Sequence, residues 1–177
     1  TSICNNLIVD ENKYPFLKKI HTFIEKIPQF QVCYLSGPLI TSENVADNPI
    51  VKIYIISEKV SPYIYKFIKN KATTIISDFF FPHFILTEVF FLTLKDLDDY
   101  SKFCLKCDSA FWFGNKDIHD RFPAFCIEDI DHCCNNYKMC ANWLRNHLKK
   151  SENGKTLWIN MHILLKNIIK AIYEKNK

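Results

Sequence analysis

The sequence predicts an α/β fold: a mixed sheet of four to five strands with flanking helices and a C-terminal helical hairpin. Three observations carry this expectation. Two apolar runs, FQVCYLS at 30–36 and IVKIYIIS at 50–57, are rich in β-branched and aromatic residues and are bounded by turn signals. Ahead of them, Phe16, Leu17, Ile20, Phe23, Ile24 and Ile27 recur at three- and four-residue steps, which is helical periodicity. After Ile127 the same periodicity returns and persists.

In chain order, the first helix covers 14–27, with Pro15 suited to its first turn and Pro28 ending it. The strand at 30–36 closes on Gly37-Pro38, and the polar stretch 39–49 runs through Asp47-Asn48-Pro49 into the strand at 50–57. Strands 30–36 and 50–57 are expected to be neighbours in one sheet. A short helix is expected at 61–69. Two further apolar runs, 73–80 and 83–93, flank Pro82 and read as strands joined by a tight connection. Thr93, with Asp96 three residues on, has the form of a capping box and predicts a helix from there to Lys106. Residues 109–113 (SAFWF) fit either state and stop at Gly114-Asn115. Two long amphipathic helices follow, 127–148 and 157–172, joined by a turn at Ser151–Gly154, and these pack as an antiparallel pair. The division expected is an α/β domain at 1–115 and a helical region at 116–177.

Composition excludes several classes. At 177 residues and 48% apolar content, the chain can bury a core without covalent staples. Its three glycines, Gly37, Gly114 and Gly154, are far apart, so neither a P-loop nor a dinucleotide fingerprint is present. The apolar stretch 79–94 is broken by Pro82, His83 and Glu88, which rules it out as a membrane span of about 20 apolar residues. No signal-peptide pattern is seen, and a cytoplasmic or other intracellular location is expected. The net charge of +4 is mild, and the C-terminal lysines (Lys166, Lys170, Lys175, Lys177) read as a solvated helix face, with a nucleic-acid or acidic-partner surface as the alternative. The eight cysteines are expected to be reduced, several at apolar helical positions.

The order helix, strand, Gly-turn, strand, helix, strand resembles the small nucleotidyltransferases, a group that includes minimal and aminoglycoside nucleotidyltransferases. Four stretches carry the likeness over roughly 14–173: Val32–Pro38, Ile50–Ile56, Thr87–Leu97 and Phe111–Ile118. In that family a first strand ends in Gly-Ser, a second strand carries Asp-x-Asp, and a later strand often adds a third carboxylate. The resemblance implies two divalent ions that neutralise the attacking and leaving oxygens. Here Gly37 matches the glycine, and Pro38 stands where the serine belongs. Ile50 and Lys52 occupy the Asp-x-Asp positions, and Glu88 lies near the third carboxylate. The resemblance therefore implies a nucleotidyltransferase-like domain without its metal ligands, and Mg²⁺ is expected only if it is active.

The site candidates follow. Gly37 and Lys52 are candidates for substrate binding, Lys52 as a point charge on a triphosphate. Glu88 is a candidate metal ligand or base, although a paired or exposed strand residue is the plainer reading. His119, in the cluster Asp117–Arg121, is a candidate general acid or base, against an ordinary polar loop. Cys104-x-x-Cys107 is a zinc alternative, and no second two-residue pair follows it. Phe111, Trp112 and Phe113 read as core in preference to a base-stacking platform. The function expected is an inactive domain that binds a protein or nucleotide partner, with nucleic acid also open and no membrane. The rivals are an active transferase using other acids (Asp47, Asp78 or Glu88) and an interaction module unrelated to nucleotides.

Overall fold

The computed structural model describes residues 9–41 and 49–123, together with Met139, Asn142 and Asn146. The described elements all lie in one compact unit, Asn6–Phe122. Their order is α1 (Phe16–Ile24), β1 (Phe30–Ser36), α2 (Pro38–Thr41), β2 (Ile50–Ser57), α3 (Pro62–Phe80), β3 (Leu86–Leu92), α4 (Asp99–Asp108), β4 (Ala110–Gly114) and α5 (Lys116–Asp120).

The four strands form one mixed sheet in the order β3-β2-β1-β4. β1 pairs antiparallel with β2 and with β4, while β2 and β3 run parallel across the α3 crossover. The expected α/β class and the expected pairing of 30–36 with 50–57 both hold. Apart from Met139, Asn142 and Asn146, the helical pair at 127–148 and 157–172 lies outside the described residues.

Strand alternation divides the sheet into two faces. On one face Cys33, Leu35, Val51, Ile53, Ile55, Val89 and Trp112 join α1 and α3 in the larger core. α1 contributes Phe16, Leu17, Ile20 and Ile24, the buried stripe that its periodicity predicts. On the other face Val32, Tyr34 and Ile56 pack with Leu97, Leu105 and Phe122. Ser57 closes β2: its hydroxyl is buried and lies 3.0 Å from the carbonyl oxygen of Pro28.

Two expectations are corrected. Residues 73–80 are helix, not strand, because α3 runs unbroken from Pro62 to Phe80. Its β-branched residues favour a strand locally, but Ser61 caps the helix by accepting from the Ile64 N–H at 3.2 Å, and Pro62 suits the first turn. Ile68, Ala72 and Ile76, spaced four residues apart, then form a stripe buried on the sheet, so tertiary burial overrides propensity. The second correction concerns Thr93 and Asp96. They bond reciprocally, hydroxyl to carboxylate and amide to hydroxyl, but this closes a turn. The helix starts later, at Asp99, capped by Asp98, whose carboxylate accepts from the Ser101 N–H at 2.7 Å. The ambiguous 109–113 segment proves to be the edge strand β4.

Gly37 ends β1 with φ +114°, a conformation that disfavours any side chain. A Cβ there would collide with the carbonyl oxygen of Ile50 and sit 3.3 Å from the Cα of Val51. Gly37→Ala is therefore expected to destabilise the protein by ~2 kcal/mol, read as a lower urea midpoint at unchanged slope.

Candidate functional site

β2 alternates between the two faces. Val51, Ile53 and Ile55 are buried in the larger core, and Ile50, Lys52 and Tyr54 are only partly covered on the other side. The parallel register sets Ile50 beside Leu86, Lys52 beside Glu88 and Tyr54 beside Phe90. Lys52 Nζ lies 3.8 Å from Glu88 Oε2, and the two side chains are 38% and 37% exposed. At that separation and exposure the pair contributes at most about 1 kcal/mol, so it can open to meet a ligand. Next along the strands, Tyr54 and Phe90 stack with centroids 5.1 Å apart. Ser36 pairs with Lys52 from the β1 side, and Gly37 lies against Ile50.

Among the described residues, this face carries the Lys52–Glu88 pair and the Tyr54–Phe90 stack. From Tyr54 it continues into a groove of about 310 Å³ bordered by Leu92, Leu97, Tyr100, Cys104 and Asp108. The Tyr54 hydroxyl titrates above its ordinary value because of burial, with Asp108 and Glu88 adding to the effect. This arrangement can hold an anion beside Lys52 and an aromatic or apolar group against Phe90. Among the described residues, no three His, Cys, Asp or Glu side chains gather where they could hold a metal ion. Asp78 belongs to α3, on the opposite face. Asp47 lies outside the described residues.

His119 is not part of this arrangement. Its Nδ1 lies 3.0 Å from the Tyr34 hydroxyl, and its ring packs 4.9 Å from that of Phe111. Tyr34 also stacks on Phe122. Lys106 spends its three N–H donors on the carbonyl oxygens of His119, Asp120 and Phe122, at 3.1, 3.1 and 3.0 Å. One cation thereby satisfies the end of α5 and fastens it to α4. Burial pushes the Lys106 ammonium below its ordinary pKa. His119 is likewise held below 6.5, first by burial and then by the Lys106 charge. Burial also raises the Tyr34 phenol well above its usual range. These groups are arranged as a clamp between elements.

The zinc alternative is corrected. Cys107 is disulfide-bonded, and a disulfide sulfur is not a thiolate ligand. The expectation of reduced cysteines does not hold at this residue, which is half-buried in the last turn of α4. Cys33 fits the expectation: it is a buried thiol whose pKa is raised by burial. Trp112 and Phe113 join the larger core and Phe111 the smaller one. The Trp112 indole N–H donates to Glu11 at 2.7 Å, and the same carboxylate meets His21 Nδ1 at 2.9 Å. The residues missed by the sequence reading are Tyr54, Phe90 and Lys106. Alternation along β2 puts Tyr54 on the face of Lys52, whereas Lys106 has no signal in sequence.

No protein-family model and no curated protein matches the chain. Among solved structures, a chain from the crystal structure of the toxin–antitoxin MntA–HepT is 11% identical, with 77% of this chain and 93% of that chain covered and a TM-score of 0.41. Chains from two mutant forms of that complex are each 12% identical; the coverage is 75% and 92% at TM-score 0.41 for one, and 79% and 93% at 0.42 for the other. No described helix is long and apolar enough to cross a membrane.

The depressed pKa of His119 has a consequence for stability. The unfolded imidazole, near 6.5, binds its proton more readily than the folded one. Stability therefore rises with pH through the window between the folded value and 6.5, and it is lost as pH falls through the same window. His119→Gln removes this titration. Urea unfolding at about pH 5 and about pH 7.5 is expected to show a larger acid loss for the parent than for the variant.

Proposed function

We propose that this chain is a nucleotidyltransferase-like domain that has abandoned two-metal transfer chemistry and acts by binding a protein or nucleotide partner on the open face of its sheet. The observation that carries the reading is the Lys52–Glu88 pair. Lys52 stands where the resemblance calls for a carboxylate, and it lies 3.8 Å from Glu88, the acid that would serve as the third ligand. A hard divalent cation needs several oxygen ligands, and an ammonium group repels it. Among the described residues, this face does not fit a two-metal site.

The same residues suit a different task. Lys52 offers a point charge to a phosphate or carboxylate, and Glu88 gives it up at little cost because both are solvated. Phe90, 37% exposed and stacked on Tyr54, offers an aromatic surface beside that charge. The pair gives the face an anion-directed polar centre with an apolar flank. Pro38, in place of serine, leaves the turn after Gly37 without a backbone N–H or a hydroxyl at that position.

Calorimetric titration with ATP in Mg²⁺ and in chelator separates the readings. The expected result is weak binding or none, the same in both solutions. Micromolar binding that vanishes on chelation would overturn the proposal in favour of an active transferase. Absence of any nucleotide affinity leaves a protein as the partner of this face.

A further inference from the structure

α1 and α3 cover the face of the sheet opposite Lys52 and Glu88, and their outer surface carries a groove of about 540 Å³. Phe23, Phe67 and Ile75 give it an apolar lining, with Lys19 of α1 and Lys71 of α3 beside them. No acidic side chain lines it among the described residues. The charge on the two helices is mostly positive: α1 and α3 together hold Lys18, Lys19, Lys66, Lys69 and Lys71 against Asp78.

We propose that this groove docks an acidic amphipathic helix of a partner protein, its apolar stripe on Phe23, Phe67 and Ile75 and its flanking carboxylates on Lys19 and Lys71. Two helices side by side leave a furrow suited to the apolar face of a third. Lysines from both helices select a ligand with acids on both sides of that face and repel a basic one. The aromatic geometry favours a peptide over single-stranded nucleic acid. Phe67 meets Phe23 edge to face at 5.9 Å and 87°, and Lys71 lies over its ring at 6.0 Å. The ring works as a wall, with one face already taken by a cation, rather than as an open platform for stacked bases. This site is separate from the Lys52–Glu88 face, and neither reading depends on the other.

The test uses the full chain and a fluorescein-labelled synthetic helix with a leucine stripe flanked by glutamates. Its controls are the same peptide with glutamine for glutamate, and an oligodeoxythymidine. Anisotropy should show the glutamate peptide binding at least about tenfold more tightly than the glutamine peptide, with a preference that weakens in salt. Lys19→Glu with Lys71→Glu should abolish that preference, and Phe67→Ala should weaken both peptides. These residues are exposed, and far-UV circular dichroism checks that the variants fold. Lys52→Ala should change neither peptide's affinity, which keeps this test independent of the nucleotide titration. Equal affinity for the two peptides, no binding, or indifference to the double charge reversal would each overturn the proposal. Tight oligonucleotide binding that displaces the peptide would overturn it in favour of a nucleic-acid groove.

Discussion

The close approach of Gly37 to the main chain of Ile50 is the constraint on which the open face depends. Only a residue without a side chain fits there, and only glycine holds φ +114° without strain. The contact fixes where β2 begins relative to the end of β1. From that point alternation decides everything along the strand: Val51, Ile53 and Ile55 go to the larger core, and Ile50, Lys52 and Tyr54 go to the other side. A one-residue slip would bury Lys52 and expose the isoleucines, so the hydrophobic pattern holds the register that the glycine sets.

The second determinant is the crossover. α3 carries the chain from β2 to a parallel β3, and its buried stripe of Ile68, Ala72 and Ile76 seats it on the sheet. The parallel register then brings Glu88 to Lys52 and Phe90 to Tyr54. Beyond β3, α4 and α5 cover the far half of this face around Tyr34, Ile56 and Leu92 and leave the near half open. Lys106 fastens those two helices through three carbonyl oxygens. Rigid packing on one half and solvated charge on the other make the open half the adaptable part of the face.

The strands at 30–36 and 50–57 were legible to the residue, because each is a β-branched or aromatic run bounded by proline or glycine. The helix at 16–24 was legible from its period. The failure at 73–80 has a physical source: Thr73, Thr74, Ile75 and Ile76 favour a strand locally, and only the cap at Ser61 and the long stripe behind it make them helical. Thr93 and Asp96 form the bonds their spacing predicts, but nothing in the motif says whether a helix follows, and Asp98 is the stronger cap. At the site, Gly37, Lys52 and Glu88 could be named from the resemblance. Their assembly could not, since the Lys52–Glu88 register depends on a parallel pairing 36 residues apart in sequence. Tyr34 and Lys106 were invisible because their partners, His119 and the carbonyls ending α5, are chosen by tertiary packing.

The account turns on whether a charge pair has displaced a metal site. Manganese binding to the unmodified protein, followed by the loss of its free-ion paramagnetic signal, tests this directly, with Ile50→Asp plus Lys52→Asp as the comparison. The account predicts no uptake by the unmodified chain and measurable uptake by the double variant, whose two new carboxylates lie on the open face beside Glu88. Stoichiometric manganese uptake by the unmodified protein would contradict it.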